Sequence, residues 1–188
     1  LTVMNSSVID LCLLKEKDSL VEKLDSMYVR DELTKLYNRF GMRRYVEKIL
    51  QVAKRDGKHI MCIEMDLDGL KRINDTYGHD AGDNAIVQIA NAMRQASERR
   101  EVCIRSGGDE FLVFGIAEKE SDARSFIRRV EDCLDEYNSR NQWPYQVACS
   151  CGYYVRRASE INSLEEMVTE ADKLLYMVKA RRRTTRTS

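Results

Sequence analysis

The chain has 188 residues, enough for one domain with an added element. With 43% hydrophobic and 33% charged residues it can bury a core under a charged surface, which excludes a disordered chain. Lys+Arg and Asp+Glu balance at 31 each, so no global basic field points to nucleic acid or to an anionic membrane.

The first residue is Leu1, and the chain is expected to be the output part of a longer protein with an upstream sensor. Residues 8–30 read as a helix, a linker or signalling element ahead of a domain over 31–188. Leu13, Lys17, Leu20, Leu24 and Met27 recur in steps of four and three, a heptad seam with one polar break. Such a seam pairs with a second copy or packs on its own domain. The segment "DELTKLYNRFG" then forms a compact linker, with Asn38 as N-cap of a helix over 39–55 that ends at Asp56-Gly57. Residues 59–66, "HIMCIEMD", predict a strand that runs into an acidic, glycine-rich loop with a short helical turn.

Ile86, Ile89, Ala90 and Met93 repeat at helical spacing, predicting an amphipathic helix over 81–97. A hairpin over 101–105 and 110–117 turns at Ser106-Gly107-Gly108-Asp109, where two glycines are expected to take positive φ. A helix over 120–138 precedes the strand "YQVACSCGYYV", and Leu164, Met167, Val168, Ala171, Leu175 and Val178 form the stripe of a last helix. The order strand–helix–strand–strand–helix–strand predicts an α+β fold: a ferredoxin-like, palm-type antiparallel sheet with its helices on one face. The six cysteines form no C-x-x-C pair and the two histidines do not complete a zinc set, so reduced core thiols and a cytoplasmic setting are expected. No apolar run reaches the length of a membrane span.

In that topology the first strand and the hairpin are sheet neighbours. The strand ends at Asp66 and Asp68, and the hairpin tip carries Asp109 and Glu110, so carboxylates distant in sequence can converge. Clustered carboxylates repel unless protonated or met by cations. A hard divalent ion is the natural partner, held by one or two carboxylates and by substrate phosphates. Lys71 supplies a point charge, and the Gly107-Gly108 backbone lets a bulky anion approach. Together these describe a nucleoside-triphosphate site.

Four segments carry a resemblance: "DELTKLYNR" at 31–39, "DLDGLKRINDTYGHDAGD" at 66–83, "RSGGDEF" at 105–111 and "ADKLLYMVKARRR" at 171–183. In order and spacing the chain resembles the diguanylate cyclase (GGDEF) domain family. The resemblance implies a palm-like domain that joins two GTP into cyclic di-GMP with release of two pyrophosphates, as a homodimer. It implies Mg²⁺ (or Mn²⁺) on Asp66, Asp109 and the Leu67 carbonyl, with Glu110 assisting the metal and the 3′-hydroxyl. It further implies guanine reading by Asn74 and Asp83, and phosphate contacts from Lys71, Lys179 and Arg183. A catalytically silent GTP- or partner-binding module of the same family is the alternative.

Three positions depart from the family pattern. Leu70 replaces a phenylalanine, and the closing G-R-N reads Arg182-Arg183-Thr184. Many members carry R-x-x-D ahead of the signature, a product-binding inhibitory site. Here the window is Glu98-Arg99-Arg100-Glu101, and an acid at 98 cannot clamp a phosphodiester.

Overall fold

The structure, a computed structural model, describes residues 28–98, 100–140 and 143–185, with the side chains of 182–185 outside that description. The heptad seam from Leu13 to Met27 therefore lies outside the described residues. Helix α1 spans Arg39–Arg55, and the Asn38 side chain accepts from the amides of Phe40 and Gly41, satisfying two donors the helix cannot. Lys54 and Arg55 occupy its last turn, where the helix dipole favours cations. Gly57 then reverses the chain at φ +64°, a left-handed value that favours glycine.

Strand β1 (His59–Leu67) leads into α2 (Leu70–Tyr77) and α3 (His79–Ala96), which are separated by Gly78 at φ +88°. The hairpin strands β2 (Glu101–Arg105) and β3 (Glu110–Ala117) have the expected bounds. Helix α4 (Ser121–Arg140), strand β4 (Cys149–Arg157) and helix α5 (Leu164–Thr185) complete the order. The sheet runs β2-β3-β1-β4 with every neighbouring pair antiparallel, which is the split βαβ arrangement.

The two helices that connect strands within this core share one face, as expected. There Ala85, Ile89 and Met93 of α3 and Phe126 and Val130 of α4 pack on Met61, Ile63 and Met65. The other face is covered as well, by Val46 and Ala53 of α1 and by Met167 and Ala171 of α5, against Ile60, Cys62 and Phe114. Helices on one face only is thus too narrow a description. Burial on both faces explains why β1 is apolar at successive positions rather than alternating. Gly152 lets α5 rest directly on β4, since a Cβ there would come within 2.3 Å of the Ala171 carbonyl oxygen.

Two local expectations change. Neither Gly107 nor Gly108 has a positive φ, so the hairpin does not close as a two-residue Gly-Gly turn. Strand β4 begins at Cys149 rather than Tyr145, because the Asn138 side chain takes both the amide and the carbonyl of Val147, at 2.9 and 2.8 Å. A backbone whose polar groups are already paired that way cannot join the ladder.

Candidate active site

The ladder itself builds the acid cluster. Asp66 stands opposite Glu110 on β3 and opposite Ser150 on β4. One residue on, the Leu67 amide donates to the Asp109 carbonyl at 3.0 Å. Asp66, Leu67, Asp109 and Glu110 are thereby gathered at one end of the sheet. The Ser150 hydroxyl donates to Asp68 at 2.7 Å, holding that acid on the β4 side. Helix α5 brings Lys179 in, with its Nζ 2.7 Å from Asp66 Oδ2.

The electrostatics of this end are strained. Burial lifts the Asp66 carboxyl above its ordinary value against the pull of Lys179, and the charges of Asp109 and Asp68 add to the lift. Glu64, two residues earlier on the same strand face, is pushed up to about 7 by burial and by the charges of Asp172, Glu110 and Asp66. Its Oε2 is buried with no hydrogen-bond partner. Sequence reasoning missed Glu64. Its only signal was a carboxylate inside an otherwise apolar strand.

Because the folded state favours protonated Glu64, its stabilising contribution is full below the carboxylate's unfolded value and is lost as pH rises through about 7. In metal-free protein the denaturation midpoint should therefore fall between about pH 5 and 8, and Glu64→Gln should flatten that fall. Equal slopes in the two proteins would contradict this placement of Glu64.

Among the described residues no three His, Cys, Asp or Glu side chains converge closely enough to hold a metal ion by themselves. A magnesium-type centre does not require three. It takes one or two carboxylates and fills its octahedron with water and substrate phosphates. The Asp66 and Asp109 carboxylates with the Leu67 carbonyl could supply such a share, and the Lys179 ammonium on Asp66 shows that the cluster accepts a cation.

The turn above the cluster is held from outside the hairpin. The amides of Ser106 and Gly107 donate to the Glu110 carbonyl at 3.0 and 3.3 Å. Arg105 donates through Nε to the carbonyls of Gly107 (3.1 Å) and Gly108 (3.3 Å), and through Nη1 to Asp31 at 3.1 Å. Partial burial works against it, yet the Thr34 hydroxyl and amide and the Arg105 guanidinium hold the Asp31 carboxyl below its ordinary value. The first motif thus anchors the third, and Arg105 orders the turn. A Cβ on Gly107 would lie 2.6 Å from Glu110 Oε2, whereas one on Gly108 would meet nothing within 4 Å. The space over Gly108 is open to a ligand.

Asn74 and Asp83 form a second group, on α2 and α3. Asn74 Oδ1 is buried without a partner, and a Cβ on Gly82 would fall 1.8 Å from it, so only glycine admits this side chain. Asp83 and Lys71 are exposed. Arg183 continues α5 one turn beyond Lys179, and its side chain lies outside the described residues.

Over the window at 98–101, Arg129 lies 4.0 Å from Glu98 and 3.9 Å from Glu101, and its Nε donates to the Ala96 carbonyl at 2.9 Å. Glu101 also accepts from the Ser97 hydroxyl and the Glu98 amide, both at 3.0 Å. The acids here are satisfied from within; Arg99 lies outside the described residues.

The sequence profile of the family described as "Diguanylate cyclase, GGDEF domain" matches residues 28–185. The probable diguanylate cyclase DgcJ of Escherichia coli (strain K12) is 31% identical over 160 residues, covering 85% of this chain and 31% of that sequence. The chain thus spans about a third of the length of that curated relative. The diguanylate cyclase SiaD of Pseudomonas aeruginosa, solved in complex with its activator SiaC, superposes with a TM-score of 0.77 at 28% identity. That match covers 95% of this chain and 68% of the solved one. The coiled coil and GGDEF domain of DgcB from Caulobacter crescentus, in complex with c-di-GMP, shares the fold with a TM-score of 0.80 at 22% identity. It covers 96% of this chain and 95% of the solved one. Among the described residues no helix is long and apolar enough to cross a membrane.

Proposed function

This chain belongs to the GGDEF diguanylate cyclase family, and on that footing we propose that it condenses two GTP into cyclic di-GMP with release of two pyrophosphates. The observation that carries the reading is the β1–β3 register, which sets Asp66 opposite Glu110 with the Lys179 ammonium on Asp66. Asp66, Asp109 and the Leu67 carbonyl would hold Mg²⁺ (or Mn²⁺), which when bound neutralises the triphosphate and polarises the α-phosphoryl group.

Each chemical step joins a 3′-oxygen to an α-phosphorus and breaks the bond from that phosphorus to the bridging oxygen of the leaving pyrophosphate. Glu110, exposed at the start of β3, accepts the 3′-hydroxyl proton. Lys179 and Lys71 counter phosphate charge, Arg183 does so one turn further along α5, and Gly107 and Gly108 leave room for the phosphates. Guanine is read by Asp83 and by Asn74, whose buried, unpartnered Oδ1 calls for a donor. The N1–H and the exocyclic N2 amino group of guanine supply donors, and adenine's bare N1 does not.

One copy carries one acid cluster and one guanine pocket, so two copies meet with a two-fold axis between their substrates. The segment over 8–30 would pair them and pass on the state of an upstream sensor, on the cytoplasmic side where GTP is found. Neither nucleic acid nor a membrane surface enters this scheme. Incubating the purified chain with GTP and Mg²⁺ tests the reading: cyclic di-GMP and pyrophosphate should appear in a ratio of one to two. A dimeric preparation that binds GTP and yields no cyclic product would instead be a silent binding module.

Product inhibition is expected to be weak. With Glu98 and Glu101 engaged by Arg129, added cyclic di-GMP should leave initial rates unchanged at low micromolar concentration. Potent inhibition that disappears on changing Arg99 or Arg100 would show that a shifted arginine has taken over the role.

A further inference from the structure

Between the first turns of α1 and α5 lies a cavity of about 590 Å³, whose lining includes Arg39, Phe40, Arg43, Glu64, Glu110 and Glu165. Of the residues assigned above to the GTP site, Glu110 lines it, whereas Asn74, Asp83, Lys71 and Asp66 do not. Asn74 lies on α2 against Gly82 of α3, and Ile73 and Ala81 beside them pack on the α3/α4 face of the sheet. The cavity opens on the other face, where α1 and α5 meet Leu112. Asp66, Asp109 and Glu110 stand at the end of the sheet between the two. A single GTP running from Asn74 and Asp83 to the acid cluster leaves this cavity vacant on the far side.

Its α1 wall carries two guanidinium groups that suit an anionic nucleotide, while Glu64, Glu110 and Glu165 line the sheet and α5 side. Arg43 is exposed on the cavity lining, with no ion pair to an acid among the described residues. Arg39 spends its Nε on the Ser106 carbonyl at 2.6 Å, which leaves its terminal nitrogens for a ligand. Guanidinium groups bind phosphate oxygens in pairs of parallel hydrogen bonds. Phe40, 58% exposed at the mouth, offers an aromatic face backed by the Tyr28 ring at 4.6 Å between centroids. Glu110 on the lining is the group that meets an incoming hydroxyl.

We propose that this cavity receives the nucleotide held by the second copy of the chain. Arg43 and Arg39 contact the sugar–phosphate of that GTP as its 3′-hydroxyl reaches Glu110 and the α-phosphate on this copy's acid cluster. The inference rests on the GTP-condensing reading and adds to it the residues that position the attacking substrate. Each active centre is then incomplete without the partner's nucleotide, so bound nucleotide adds to the pairing proposed for the segment over 8–30 and tightens the dimer.

Arg43→Glu in the whole chain tests this, since the side chain is exposed and its loss leaves no cavity in the core. Binding of a GTP analogue with a methylene bridge between its α- and β-phosphates should match wild type at protein dilutions where sedimentation shows monomer. Dimerisation promoted by that analogue with Mg²⁺ should be lost, and cyclic di-GMP formation should fall about tenfold or more. Arg43→Lys should recover part of both. Weaker analogue binding to the monomeric variant would place Arg43 on its own copy's nucleotide and overturn the proposal. Unchanged dimerisation and rate would overturn it too. If the wild-type chain makes no cyclic di-GMP, the condensation reading fails, and the sedimentation comparison still decides whether Arg43 serves the partner's nucleotide.

Discussion

Asp66→Asn or Asp109→Asn is expected to lower cyclic di-GMP formation about a thousandfold or more, because either change removes half of the protein's charge at the proposed metal. The fold should survive. Asp66 is held in place by strand pairing on both sides, so its backbone position does not depend on the carboxylate. Its side-chain ion pair with Lys179 has the lysine 30% exposed, and such a pair contributes about 1 kcal/mol or less once solvent screening is counted. Burial already works against a charged Asp66, so removing that charge relieves a cost as well. Circular dichroism and the denaturation midpoint should therefore stay near wild type while turnover disappears. Near-normal turnover in either variant would sink the assignment of these two residues.

The second large effect concerns the base. Asp83→Ala should weaken GTP binding about ten- to a hundredfold, as expected for losing hydrogen bonds to a charged acceptor. ATP binding should change little, so the preference for GTP narrows. Asp83 is exposed at the start of α3 and carries no structural burden there, which keeps the substitution clean. Its neighbour Gly82 is what lets Asn74 reach the same spot, so the two readers depend on one close approach between α2 and α3. Calorimetry with both nucleotides decides the matter: a wild-type chain that binds GTP and ATP equally has no guanine pocket.

The parts of the site that could be read from sequence are those fixed by periodicity and strand order. Asn38 and Gly57 mark both ends of α1 because capping and reversal are local chemistry. The convergence of Asp66 with Glu110 follows from topology alone, and the register places them as direct partners. What stayed illegible depends on contacts between distant side chains and backbone. The start of β4 is set by Asn138, nine residues before Val147, and no propensity at Tyr145 reveals that. Gly107-Gly108 looks like a two-residue turn until Arg105 and Asp31 are seen holding a wider one. Glu64 carries no motif, being a lone acid in a strand, although burial and three neighbouring acids push its carboxyl up to about 7. The cavity between α1 and α5 needed both helices in place before it existed at all.

The central claim is that one copy presents one GTP and two copies complete the reaction. Initial rates of cyclic di-GMP formation over a hundredfold dilution, at saturating GTP and Mg²⁺, test it most directly, with sedimentation recording the species at each point. The rate per molecule should fall as dimer gives way to monomer. A constant rate per molecule from a species that sediments as a monomer throughout would contradict the account.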